Sequence, residues 1–247
     1  MRKRGNMTKP QQDKAEQVLA QVLGLVNAMQ YSSNRTSVLI WLTSKYAEVG
    51  QKDKAEQILA QAFEVGKTIE DNPTKDIMLM EVAADAAAVG HYNQALAIAK
   101  TLKYANTKDD ALTQIAIKSA EAGQYNQALG LAKTIGDGCQ KKAQVLTEVA
   151  VKYAQAGQPG QALQIAQSLE GLGPTNAEGM MEDCRYMKAD ALVKVAAKDA
   201  EVGQYDQALV VVKTIEENWS DRKADALVQI VKKAAQAERI ALYFTLD

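Results

Sequence analysis

Four prolines, two cysteines and one histidine are all that 247 residues hold of three residue types that punctuate folds and build sites. Scarce proline leaves long stretches of backbone free to stay helical, because proline breaks helix interiors. Cys139 and Cys184 stand 45 positions apart (184 − 139) and make no disulfide framework, so they read as free thiols of a reducing compartment. With His91 alone, a zinc site would need both distant cysteines and a carboxylate, and a Ser-His-Asp or Cys-His nucleophile would have to recruit that same histidine. An excess of one charge is missing as well. The 29 Lys+Arg against 30 Asp+Glu leave a net charge of −1, without the broad basic footprint of a nucleic-acid binder. No apolar run approaches the roughly 18 to 20 residues that cross a bilayer. The basic start, Met1 to Arg4, leads into polar Thr8 to Gln12 where a signal peptide needs an apolar segment, so the chain reads as cytoplasmic. Aromatics are only 5% of residues against 47% hydrophobic, so the apolar positions are mostly Ala, Leu, Val and Ile, and small Ala lets helices approach closely.

What the chain does have is a recurring phrase. Gly90-His91-Tyr92-Asn93-Gln94-Ala95-Leu96 returns from Gly123 to Leu129, from Gly203 to Leu209 and, more loosely, from Gly157 to Leu163; Gly50-Gln51 opens a divergent fifth version. The glycines are spaced by 40, 33, 34 and 46 residues (90−50, 123−90, 157−123, 203−157). A period in the thirties built of two amphipathic stretches predicts stacked helix pairs. In the third copy Leu112, Ile115, Ala116 and Ala120 predict a helix over about 108–122, Gly123 a left-handed stop, and Tyr125, Ala128, Leu129, Ala132 and Ile135 a second helix over about 125–136. Each helix has one apolar stripe and depends on its neighbours for stability. Residues 13–21 match 53–61 almost letter for letter, which makes both second helices, extended by about two turns.

With Leu112, Ile115, Ala116, Gly123, Tyr125 and Ala128 in that order, the pattern resembles the tetratricopeptide repeat over residues 12–236. The family's first-helix aromatic is present only as Tyr46 and Tyr153, its place being taken by Ala86, Ser119 and Asp199; the closing proline is absent from the regular copies. The resemblance implies an all-α, right-handed α-solenoid of about five to six antiparallel helix pairs. It gives a flexible tail over 1–11 and a single repeat domain over 12–247. The insertion at about 170–188 accounts for the 46-residue step; its Gly/Pro start reads as a loop, and Ala177 to Met187 as an extension of the next helix.

The resemblance also implies that the first helices line a concave groove. Its expected lane is Ser37, Ile40 and Ser44; Ile77, Met80 and Ala84; Asp110, Thr113 and Ile117; Gln144, Thr147 and Val151; Asp190, Val193 and Ala197; then Asp225, Val228 and Lys232. That mixture of apolar and small polar residues lacks the Lys/Arg and Asn run with which resembling domains clamp a carboxylate. It suits an extended or helical segment with apolar anchors.

Other motifs dissolve into the repeat. Gly66-Lys67-Thr68 looks like the end of a phosphate loop, but Gln61 stands where its first glycine belongs, and Lys-Thr recurs at 100–101, 133–134 and 213–214. Glu48, Glu121 and Glu201 precede the turns and read as solvated edges rather than acid–base groups. No catalytic residue, metal ligand or cofactor is expected. The function expected is a protein-interaction scaffold or adaptor whose partner is a protein or peptide, with no membrane and no nucleic acid. The alternative is a ligand-sensing or regulatory arm of a larger protein, with RNA binding further behind. The apolar tail Ile240 to Leu246 reads as a docked cap or a self-association segment.

Overall fold

The computed structural model describes residues 8–136, 139–171 and 178–244, and side chains for all of these except 11, 12, 139, 170, 171, 178–185 and 238–244. The chain is all-α. Twelve α-helices and two short 3₁₀ turns make up its regular structure, with no strand among the described residues. In chain order the helices are α1 (Lys9–Asn27), α2 (Ser32–Glu48), α3 (Lys52–Lys67), α4 (Asn72–Ala88), α5 (Tyr92–Thr101) and α6 (Ala105–Glu121). There follow α7 (Tyr125–Ala132), α8 (Cys139–Gln155), α9 (Pro159–Gln167), α10 (Glu178–Glu201), α11 (Tyr205–Lys213) and α12 (Ser220–Phe244). The tail expected over 1–11 lies mostly outside the described residues, and α1 opens at Lys9.

The repeated glycines close five of these helices in one way. Gly50, Gly90, Gly123, Gly157 and Gly203 all have positive φ, between 72° and 94°, and no other residue type does among those described. Each glycine N–H reaches the carbonyl three residues back at 3.0–3.1 Å. The next N–H reaches five back at 2.8–2.9 Å, as in Gln124 to Ser119 and His91 to Ala86. That is the Schellman arrangement, which satisfies carbonyls a helix end would otherwise orphan. His91 serves in it through its backbone, in the turn where the sequence reading put it.

The Lys-Thr pair closes the other helix of each pair. The hydroxyls of Thr68, Thr101, Thr134 and Thr214, and of Ser168 in the fourth copy, donate to the carbonyl three residues earlier at 2.7–2.8 Å. Such a local bond competes with continued α-helix. Helix α7 stops at Ala132, although apolar periodicity runs on to Ile135, which is buried beyond the helix end.

The chain divides into two compact units, residues 1–118 and 119–247, with α6 running across the division. In the first, α2 packs against α1, α3 and α4, and α4 against α3 and α5. Leu39, Leu42, Tyr46, Leu59, Val82, Ala83 and Ala86 fill its core. Gly66 lies inside α3, where a Cβ would come within 3.0 Å of Leu79 Cδ2, so this glycine permits close approach to α4 and cradles no phosphate. Buried Asp76 of α4 accepts the N–H groups of Lys103 (2.6 Å) and Tyr104 (2.8 Å), fixing the link between α5 and α6.

In the second unit α8 packs against α7, α9 and α10, and α10 also against α9, α11 and α12. Val145, Val149, Leu169, Leu192 and Val195 form its core with a series of fully covered alanines, including Ala128, Ala150, Ala162, Ala196 and Ala208. Helix α10 has 24 residues where α4, α6 and α8 have 17, so the insertion joins the helix from Glu178, close to the extension expected from Ala177. Tyr186, in that added part, packs edge-on against Trp219 (5.6 Å between centroids) and under Arg222 (4.6 Å). The expected Gly/Pro loop falls at 172–177, outside the described residues, as do the side chains of Cys139, Cys184 and the tail from Ile240.

Candidate interaction groove

In the first unit the expected lane falls on α2, α4 and α6. Ile77 is exposed, while Ile40, Met80, Ala84, Asp110 and Ile117 are half-buried. Thr113 and Ser44 are engaged within the fold. Thr113 is buried and its hydroxyl donates to the Asp109 carbonyl (2.7 Å), leaving a partner little to touch. Ser44 donates to Oδ1 of buried Asp85 at 2.5 Å, linking α2 to α4. Burial raises the Asp85 pKa, opposed by the Ser44 hydrogen bond and the positive charge of Lys118. Its second oxygen has no partner.

In the second unit the lane becomes a cavity. A groove of about 770 Å³ runs along α8 and α10 to α12. Five of the expected residues line it: Gln144, Thr147 and Val151 from α8, Asp190 and Ala197 from α10. Spacings of three, four and seven put these side chains on one stripe of each helix. Val193 and Val228 are not in its wall; Val193 is half-buried and Val228 exposed.

Met187, Glu148, Lys194, Lys198 and Lys233, which the repeat pattern does not single out, also line the groove, as does Glu201, expected only as a solvated edge. Lys194 pairs with Asp190 at 2.7 Å. Lys198 and Lys233 converge on Glu201 Oε2 at 3.0 and 3.7 Å. The Glu201 carboxyl titrates below its usual range, first through the Lys198 hydrogen bond and then through the charge of both lysines. Among the described residues three acids and three lysines line the groove, and their charges cancel (3 − 3) around a small apolar floor. The signal was present in the i, i+4 spacing of Asp190, Lys194 and Lys198. What hid it was Lys233, brought to Glu201 from another helix by tertiary packing.

A second cleft, of about 650 Å³, opens between α7 and α9 above α8. Leu129, Leu146 and Ile165 line it together with Lys133 and Lys142, and no acidic residue is among its described lining residues.

Among the described residues no three His, Cys, Asp or Glu side chains gather where they could hold a metal ion. No helix of the described residues is long and apolar enough to cross a membrane. No protein-family model, curated protein or solved structure matches the chain.

Proposed function

We propose that the chain is a tetratricopeptide-like, right-handed α-solenoid that works in the cytoplasm as an interaction scaffold or adaptor, not as an enzyme, and holds a protein or peptide segment along its first helices. One observation carries this reading: five residues expected from the repeat register to face a partner line one groove on α8 and α10. The occupant is a segment with small apolar anchors about one helical turn apart, to meet Val151 and Ala197, and charges of both signs beside them, to meet the Asp190–Lys194 and Lys198–Glu201–Lys233 clusters. Because the lining charges cancel, binding is expected to depend only weakly on salt, unlike capture of an acidic tail or of RNA.

The test is retrieval of a partner on the immobilised chain, repeated with Val151→Asp and Ala197→Asp. A partner held by the native chain and lost by both variants, with helicity unchanged by circular dichroism, supports the groove. Binding untouched by either variant removes it.

The α7–α9 cleft favours a second reading, a ligand-sensing or regulatory arm. Its apolar lining and two lysines suit a small amphiphile with an anionic head. Dodecanoate titrated against the native chain and against Lys133→Gln/Lys142→Gln tests it. Loss of binding in the double variant supports the reading, and no binding by the native chain removes it.

A further inference from the structure

Two helices leave open a face that their counterparts in the same chain keep covered. In α12, Leu227 is 42% and Val231 65% exposed. The residues in register with Leu227 are Leu39, Leu79, Leu112, Leu146 and Leu192, and all are buried. Those in register with Val231 are Thr43, Ala83, Ala116, Ala150 and Ala196, and all are fully covered. Helix α2, one of these counterparts, packs against α3, the second helix of its pair, as well as against α4. Helix α12 packs against α10 and α11.

Helix α1 is the converse case. It matches α3 in sequence, Ala15, Val18 and Val22 standing for Ala55, Ile58 and Ala62. In α3 all three are buried. In α1, Val18 is 50% exposed, Ala15 and Val22 are half-exposed, and Leu25 beside them is 73% exposed. Helix α1 packs its other edge, Leu19 and Val26, inward, and α2 is its neighbour. So α12 is a first helix showing the residues that a second helix covers, and α1 is a second helix showing the residues that a first helix covers.

We infer that these two faces are one interface, and that its occupant is a second copy of this chain: α1 of one molecule completes the pair that α12 of the next leaves open. The complementarity is of kind as well as of polarity, because residues 13–21 of α1 repeat residues 53–61 of α3 with one change, and α3 packs on α2 within each molecule. Exposed apolar faces mark contacts, and these two carry Val18 and Leu25 on α1 and Leu227 and Val231 on α12. The contact sets one surface of the first molecule on a different surface of the second, so it propagates into a chain or closes into a ring, of which a reciprocal pair is the smallest. It uses neither the groove on α8 and α10 nor the described part of the apolar tail.

Sedimentation of the whole chain over micromolar to millimolar concentration tests the inference, with two variants. Val18→Glu/Leu25→Glu spoils the α1 face, and Leu227→Glu/Val231→Glu spoils the α12 face. These positions are solvent-exposed, so circular dichroism is expected to show native helicity in both. The native chain is expected to associate as concentration rises, into a closed pair, a ring or a longer chain, and each variant alone to stay monomeric. An equimolar mixture of the two holds one good α1 face and one good α12 face, so it is expected to form a one-to-one dimer of twice the monomer mass and nothing larger. A native chain that stays monomeric throughout overturns the inference. So does association that survives in either variant alone, as a symmetric α12-to-α12 contact would produce in the α1-face variant, or a mixture that fails to pair.

Discussion

Asp199 shows most directly what one residue does to this fold. It stands where two other copies have Tyr46 and Tyr153, and it is fully buried with neither carboxylate oxygen partnered. Burial raises its pKa to about 6. A carboxyl whose pKa is higher folded than unfolded stabilises the fold in its protonated form. Its contribution is therefore complete below about pH 4 and is lost as pH rises through 6. Asp199→Asn, neutral throughout, is expected to gain on the native chain by about 2–3 kcal/mol between pH 4 and pH 8. Urea midpoints at the two pH values check this, and a difference that does not change with pH would contradict it. Asp76 is the opposite case, a buried carboxylate whose two backbone donors hold the α5–α6 link. Asp76→Ala leaves both donors without that acceptor and is expected to cost about 2 kcal/mol or more, read from the same kind of melt. Neither role was legible in the sequence. Asp199 appeared only as a departure from an aromatic position, and Asp76 not at all, because both depend on what other helices place around them.

At the scale of elements the sequence was far more informative. Local chemistry writes helix ends, and five glycines in one phrase located five Schellman turns. The Lys-Thr pair was legible as repeat consensus but not as a helix terminator. Apolar spacing carries the second helix to 136, whereas α7 ends at Ala132 and the Thr134 hydroxyl bonds the Leu131 carbonyl, because periodicity reports burial and not hydrogen bonding. A Cβ at Gly123 would meet nothing within 4 Å, so Gly123→Ala isolates the cost of the left-handed backbone. It is expected to destabilise by about 1–2 kcal/mol without changing helix content. Thr134→Val removes the terminating hydroxyl and keeps the shape. It is expected to lengthen α7 toward Ile135, seen as added amide protection at 133–136 in hydrogen exchange, and no added protection would make the hydroxyl a bystander.

For the whole molecule, contacts made chiefly between neighbouring helices set how stability is shared. Helix α2 touches α1, α3 and α4, and α10 touches α8, α9, α11 and α12; helices far apart in sequence make no such pairs among the contacts described. The helical period points to neighbour packing, and of the lane that the family resemblance implies, Gln144, Thr147, Val151, Asp190 and Ala197 line one groove on α8 and α10. The sequence did not foretell the split into units at 118/119, which falls inside α6 and leaves no mark in composition. On the proposed solenoid reading, stability adds up from neighbour contacts, and a core deletion is felt locally before it is felt globally. Leu59 is fully buried in the first unit, and Leu59→Ala is expected to remove about 2–4 kcal/mol there. Native-state hydrogen exchange is then expected to show protection falling by that amount in α2, α3 and α4, while α10 and α11 keep theirs. An equal fall in all of these helices would mean that the two units unfold as one cooperative body, and the neighbour-by-neighbour account of this chain's stability would be wrong.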